Sequence, residues 1–266
     1  MNIIVCIKQV PGIADVKINP ETNTLIREGV SSIINPFDMY AIEEGLRLKD
    51  KFVGKVTVIS LGPPQSINAL KEAIGMGADE AIQLSDRAFA GSDSWATSYT
   101  LALAIKKLGE FNIILCGKQA IDGDTGQVGP GIASQLGITQ LTYVFKIIKL
   151  EPDTCMITVE RLLEEGREIV EAKLPALLTV VKDINQPRST TLFHIRRASS
   201  LLIPTWTAAD LPGADLSKLG LKGSPTQVIK ISSPLKREGV LDLIKTDSVE
   251  LSAAILVDKI IAEKIL

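Results

Sequence analysis

Short apolar runs alternate with amphipathic stretches along the first half of the chain. The opening MNIIVCIKQV reads as a buried strand, as do Lys55–Leu61 (KVTVISL), Glu80–Leu84 and Asn112–Cys116 (NIILC). Helical spacing fills the gaps between them. Asn35-Pro36-Phe37-Asp38 opens the first helix, with Asn35 as N-cap, Pro36 as first helical residue and Asp38 as the acidic member of a capping-box variant. Ile42, Leu46 and Phe52, with Ala41 and Gly45, are then expected on an apolar face, and Glu43, Glu44, Arg47 and Lys49 on wetter ones. A second helix runs from the Gly62-Pro63-Pro64 turn through Gly75, and a third carries Ala96, Leu101, Ala104, Ile105 and Leu108. Ahead of the first helix, DVKIN and TLIRE are expected to pair as a small edge hairpin. Strand alternating with helix through short loops predicts an α/β fold: three layers around a mostly parallel sheet.

The pattern changes after Leu141. YVFKIIKL, CMITVERLL and REIVEAKL are β-like runs separated by turn residues, which predicts an antiparallel β extension over 141–173. PALLTVV is expected to return to the main sheet, and TTLFHIRRASS to form a short helix with Arg196 and Arg197 near its end. From Ile203 to Arg237 the chain is rich in Pro, Gly, Ser and Thr, has little periodicity, and is expected to lie as an arm on a partner. Ala253, Leu256, Val257, Ile260, Ile261 and Ile265 mark a C-terminal helix with an apolar stripe. The expected division is an α/β domain at 1–200 and a C-terminal arm and helix at 201–266.

In sheets of this kind ligands sit beyond the carboxyl ends of the strands. The loops at 6–12, 61–64, 85–94 and 117–128 compete for that place, and all are rich in Gly, Pro, Ser or Asp. The last is the most informative: Gly117–Gln135 reads GKQAIDGDTGQVGPGIASQ. It passes from a strand through a glycine loop into a helix whose first turn can hold Pro130. Glycines let backbone approach a ligand, and the open N–H groups of a helix start favour an anion such as phosphate. The loop is neither GxGxxG nor a Walker loop, so an ordinary turn remains the other reading. Asp-Gly pairs are common turn formers, so Lys8, Asp38, Asp122 and Asp124 read as loop formers or polar ligand contacts rather than catalytic groups.

Composition narrows the function. The chain has 266 residues, 45% of them hydrophobic and 4% aromatic, which suits an aliphatic parallel-sheet core. A net charge of −2 argues against a nucleic-acid partner. Cys6, Cys116 and Cys155 are widely spaced and His194 is the only histidine, so no Cys/His metal cluster is expected. Nothing in the sequence has the length of a transmembrane span or the form of a signal peptide, and a reduced, cytoplasmic setting is expected.

The pieces IIVCIKQVP, INPFDMYAIEEGLRLK, SLGPP, MGADEA and above all GKQAIDGDTGQVGP resemble the β subunit of the electron-transfer flavoproteins, along nearly the whole chain. The resemblance implies a Rossmann-like, adenine-nucleotide-binding sheet and a heterodimer with an α subunit that holds one FAD. It implies AMP on the β subunit of ordinary members, and a second FAD, at which NADH is oxidised, in electron-bifurcating ones. Family contacts to the nucleotide carry over to Cys6, to Asn35, Pro36, Phe37 and Asp38, and to Leu61. They also carry over to Gly117, Lys118, Gln119, Ala120, Ile121, Asp122, Gly123, Asp124, Thr125, Gly126, Gln127 and Val128. SDRAFAGSDSWATSY resembles the bifurcating branch, which would bring Asp93 and Thr97 near the flavin nucleotide. So do GDTGQVG and the IPTWTAADL segment. In that branch one electron goes to ferredoxin or flavodoxin. The other goes through the α-subunit FAD to a flavin-dependent dehydrogenase, either acyl-CoA dehydrogenase-like or of lactate dehydrogenase type. The cofactors do the redox chemistry, so no catalytic residue is assigned. The resemblance also implies a recognition segment at 185–197, with Leu192 as apolar anchor and Arg188 as polar neighbour. An ordinary AMP-binding carrier and, more remotely, an ATP-binding or adenylylating module are the alternatives.

Overall fold

The computed structural model describes residues 1–12, 32–230 and 241–263. The hairpin expected from DVKIN and TLIRE lies outside the described residues. The chain divides into two compact units, Met1–Lys230 and Ile231–Leu266.

The first unit begins with β1 (Asn2–Ile7) and β2 (Gln9–Pro11), and β2 pairs antiparallel with β3 (Ser32–Ile34). There follow α1 (Pro36–Phe52), β4 (Lys55–Leu61), α2 (Ile67–Met76), β5 (Glu80–Leu84), α3 (Ser94–Leu108), β6 (Ile113–Gly117) and α4 (Val128–Leu136). The β extension is β7 (Thr139–Glu151), β8 (Met156–Leu163) and β9 (Gly166–Lys173). β10 (Ala176–Val180) re-enters the sheet, and α5 (Leu192–Ser200), β11 (Thr205–Trp206) and α6 (Gly220–Gly223) complete the unit. One sheet of nine strands results, in the order β11-β5-β4-β1-β6-β10-β7-β8-β9. It is parallel from β11 to β7 and antiparallel across β7, β8 and β9.

Alternation along the strands makes two cores. Ile3, Val5, Val58 and Leu115 meet Ala41, Ile42, Leu46, Leu70 and Ile74 of α1 and α2 on one face. Ile4, Ile59, Ile114 and Leu177 meet Leu101, Ile105, Ile132 and Ala133 of α3 and α4 on the other. Gly45 lets α1 lie close on the sheet, since a Cβ there would be 3.1 Å from Val5 Cγ2.

The stretch after Ile203 differs from the expected arm. Up to Lys230 it belongs to the first unit: β11 adds to β5, and Ala208, Leu211 and Leu219 are buried in the α3–α4 core. Its anchors are single apolar residues between short turns, so they leave no period to read. Asp86 ties it down by accepting from the N–H of Ala208 at 2.9 Å. In the second unit Ser248 caps α7 (Val249–Ala262) by accepting from Leu251 N–H, and no side chain of α7 is buried. No helix among the described residues is long and apolar enough to cross a membrane.

Candidate nucleotide site

The strand order reverses between β1 and β6. β1 leads to α1 on one face, and β6 leads to α4 on the other, so the two connections part above a crevice at the carboxyl edge. Such a reversal is where open α/β sheets hold ligands. Cys6 and Cys116 lie side by side beneath it, Cα partners on adjacent strands, both buried. Hydrogen bonding to Cys6, with burial, pushes the Cys116 thiol well up.

Asn35 occupies the N-cap position of α1 and Pro36 its first turn, as expected, but the capping box does not form. Asn35 turns its side chain to the glycine loop instead. Its Oδ1 accepts from Ile121 N–H at 3.1 Å, and its Nδ2 donates to Gln119 O at 2.8 Å and to Asp38 Oδ1 at 3.0 Å. The Asp38 carboxylate also accepts from Lys8 N–H at 2.7 Å and Gly117 N–H at 3.2 Å, joining the ends of β1 and β6. Burial of Asp38 pushes its pKa up to about 7 against these donors. Phe37 packs at Gly117, where a Cβ would fall 2.7 Å from the Phe37 Cβ and 2.3 Å from Asp38 Oδ1. Only glycine fits there.

The loop itself is exposed. Lys8 Nζ clasps both Asp122 oxygens at 2.6 and 2.7 Å, and Gln119 Nε2 donates to Asp124 Oδ1 at 2.6 Å. Asp124 and Gly126 take φ of 52° and 62°, the left-handed turn that Gly126 adopts without strain. Ala120 O accepts from Asp124 N–H and closes the turn. Thr125 Oγ1 meets Ser94 Oγ of α3 at 3.2 Å. Gln127 stands at the N-cap of α4 without a side-chain cap bond, so the first amides, at half-buried Val128 and buried Gly129, have no side-chain acceptor from the cap. Leu61 ends β4 on the far side of the crevice, half-buried.

Asp93 caps α3 and is more committed than expected. Its Oδ1 accepts from Trp95 and Ala96 N–H at 3.0 Å, and its Oδ2 from Thr226 N–H and Oγ1 at 2.9 and 2.8 Å. Burial raises its pKa, and these donors outweigh it and hold the carboxyl below the usual range. Thr97 is half-buried one turn into α3. Gln83, which sequence reasoning missed, organises the β4 side. Its Nε2 donates to Pro63 O, Pro64 O and Ser66 Oγ, and its Oε1 accepts from Thr205. The signal was a glutamine inside the apolar run EAIQL.

On the α1–α2 side, Leu192 starts α5 with 87% of its surface exposed, beside exposed Phe193. Glu43 and Glu44 of α1 are buried rather than on a wet face, because the segment before α5 covers them, and Arg188 is held there by its own chain. Its guanidinium donates to both Glu43 oxygens at 2.9 and 3.1 Å and to Asp50 at 3.0 Å.

A switch-point crevice, a glycine loop and an uncapped helix start define a class: α/β proteins built to hold a nucleotide at the carboxyl edge of a parallel sheet. The comparisons carry this to a family. The electron transfer flavoprotein domain matches residues 22–211. The electron transfer flavoprotein β subunit of Clostridium acetobutylicum is 54% identical over 233 residues, 88% of each chain. That of Megasphaera elsdenii is 49% identical over 275 residues, spanning 100% of both. Protein FixA of Bradyrhizobium diazoefficiens is 46% identical over 264 residues, 98% of this chain and 91% of its own. The chain belongs to the electron transfer flavoprotein family.

Proposed function

We propose that the chain is the β subunit of a heterodimeric electron transfer flavoprotein and that its crevice binds FAD at which NADH is oxidised. The observation that carries the nucleotide reading is the uncapped start of α4 behind a glycine loop held open from below by Asn35. The residues suit a pyrophosphate. Val128 and Gly129 offer amides, and a Cβ at Gly123 would meet nothing within 4 Å, so the loop presents open backbone.

A flavin bound there would supply the hydride-accepting and one-electron chemistry. The chain's part is to bind and position it. Asp38 and Asn35 fix the loop to β1 and β6, Lys8 holds Asp122, and Ser94 ties Thr125 to α3. In this reading electrons divide between ferredoxin or flavodoxin and, through the α-subunit FAD, a flavin-dependent dehydrogenase of acyl-CoA dehydrogenase-like or lactate dehydrogenase type. The exposed Leu192 of α5 is its docking anchor, and the cytoplasm its setting. The test is the cofactor content of the purified heterodimer. Two FAD per αβ pair with NADH-dependent bleaching of one is the expected result. One FAD with one AMP makes the chain an ordinary carrier subunit and overturns the proposal.

A further inference from the structure

The chain's three cysteines are free thiols in two different settings. Cys155 lies exposed in the turn between β7 and β8, its thiol donating to Pro152 O at 3.5 Å. Cys6 and Cys116 are a pair. They close the ladder between β1 and β6, where they are direct Cα partners on parallel strands. Alternation sends both side chains to the α3–α4 face, with Ile4 and Ile114 two residues before them.

The spacing suits a bond between the sulfurs. Neighbouring strands lie about 4.8 Å apart, and disulfides span about 4.4–6.8 Å between Cα atoms. The thiols already interact. The Cys116 S–H donates to the Cys6 sulfur, and this bond, with burial, pushes the Cys116 thiol well up. Cys116 therefore keeps its proton, and Cys6 is the sulfur that meets an oxidant first. Among the described residues no third His, Cys, Asp or Glu joins the pair as a metal ligand, so it lacks the donor set of a zinc or iron–sulfur centre.

Access selects the reagent. The first turn of α4 roofs the pair, since a Cβ on Gly129 would be 3.7 Å from Cys116 Cβ. Cys6 keeps 7% of its surface and Cys116 6%, room for a molecule little larger than water and not for an aromatic thiol reagent. In a reducing compartment two such thiols rest as a dithiol and close only when an oxidant arrives.

We propose that Cys6 and Cys116 are a reversible oxidation site, which hydrogen peroxide closes to a disulfide that clamps β1 to β6 at the foot of the crevice. The Cys6 thiol attacks one peroxide oxygen, the O–O bond breaks, and a sulfenic acid and water form. The Cys116 sulfur then attacks the Cys6 sulfur, the S–O bond breaks, and a second water leaves with the Cys116 proton. Two electrons pass from the two sulfurs to one peroxide. The bond closes a long loop between positions 6 and 116, which takes freedom from the unfolded chain more than from the native one.

The experiment treats the full heterodimer with hydrogen peroxide, blocks the remaining thiols and maps the peptides of this chain by mass. The expected product joins the Cys6 peptide to the Cys116 peptide with the loss of two hydrogens, and dithiothreitol restores both thiols. A bulky aromatic disulfide reagent is expected to label Cys155 and neither member of the pair. Cys116→Ala leaves Cys6 without a resolving thiol, so dimedone should trap a sulfenic acid on Cys6, whereas Cys6→Ala should leave Cys116 a thiol. In urea the oxidised chain should unfold at a higher midpoint than the reduced one. Two surviving thiols under peroxide that fully oxidises Cys155 overturn the site, as does sulfinic acid on either cysteine with no cross-link. A bond found only between the Cys155 residues of two molecules overturns it too. A lower midpoint after oxidation overturns the clamp. The wild-type peptide map needs no variant, so it decides even if an alanine protein fails to fold.

Discussion

Asp38 accepts from Lys8, Asn35 and Gly117, and each bond favours its ionised form. Burial works the other way and wins, so the folded chain holds this proton up to about 7 against 3.8 ordinarily. Between those values the native state binds more proton than the unfolded chain, so this group's contribution to stability falls as pH rises and is level above about 7. The slope is at most ~1.4 kcal/mol per pH unit. In urea unfolding from about pH 4.5 to about pH 8.5, the gap between wild type and Asp38→Ala should narrow with rising pH and then stay constant. A gap widest at high pH would mean that the hydrogen bonds, not burial, set this pKa. The glycines of the loop also divide by cause. Gly117 is fixed by contact with Asp38, Gly126 by its φ, and Gly123 by neither.

α5 illustrates how an element can present one residue and anchor another. Leu192 projects from its first turn, while Arg188, just before it, grips Glu43 of α1. The two should separate experimentally. Leu192→Ala should slow electron transfer to the partner dehydrogenase several-fold with flavin reduction by NADH and the unfolding midpoint unchanged. Arg188→Ala takes the guanidinium from the buried Glu43 carboxylate and leaves it only the N–H of residue 188, which should cost about 2 kcal/mol of stability, less than a fully buried pair because Arg188 is partly exposed. If Leu192→Ala lowers both rates together, its role is in its own fold. At this scale the sequence was most legible. The apolar runs gave β1, β4, β5 and β6, and the turn residues gave β7, β8 and β9. The segment from β11 to α6 was not legible, because a two-residue strand and scattered leucines carry no period. The loops of the site were recognisable by residue type. The inward turn of Asn35 was not, since its partners Gln119 and Ile121 are near only after folding. Nor was the shift in the pairing of β7 with β10 between Leu178 and Val180, because YVFKIIKL reads as a plain strand.

For the whole molecule, α7 carries its apolar side chains unburied. Leu251, Leu256, Val257 and Ile261 are each more than half exposed. Covering one such side chain is worth ~1.5–3 kcal/mol, so a helix of this kind suits attachment to the α subunit. Removing residues after Asp247 should leave the first unit folded and able to bind nucleotide but weaken its co-elution with α in size-exclusion chromatography. Co-elution as firm as that of the full chain would rule out the tether. The stitching of the crevice also bears on the order of folding. Asp38 to Gly117, Asn35 to Gln119 and Asn35 to Ile121 join positions 79, 84 and 86 residues apart. Contacts so distant along the chain form slowly, because the intervening segment must be closed first. The glycine loop therefore takes its shape only after β6 has docked beside β1, and ligand-binding competence is among the last properties a refolding chain regains. Nucleotide added at that stage acts as a latch on a nearly finished structure rather than as a template for it.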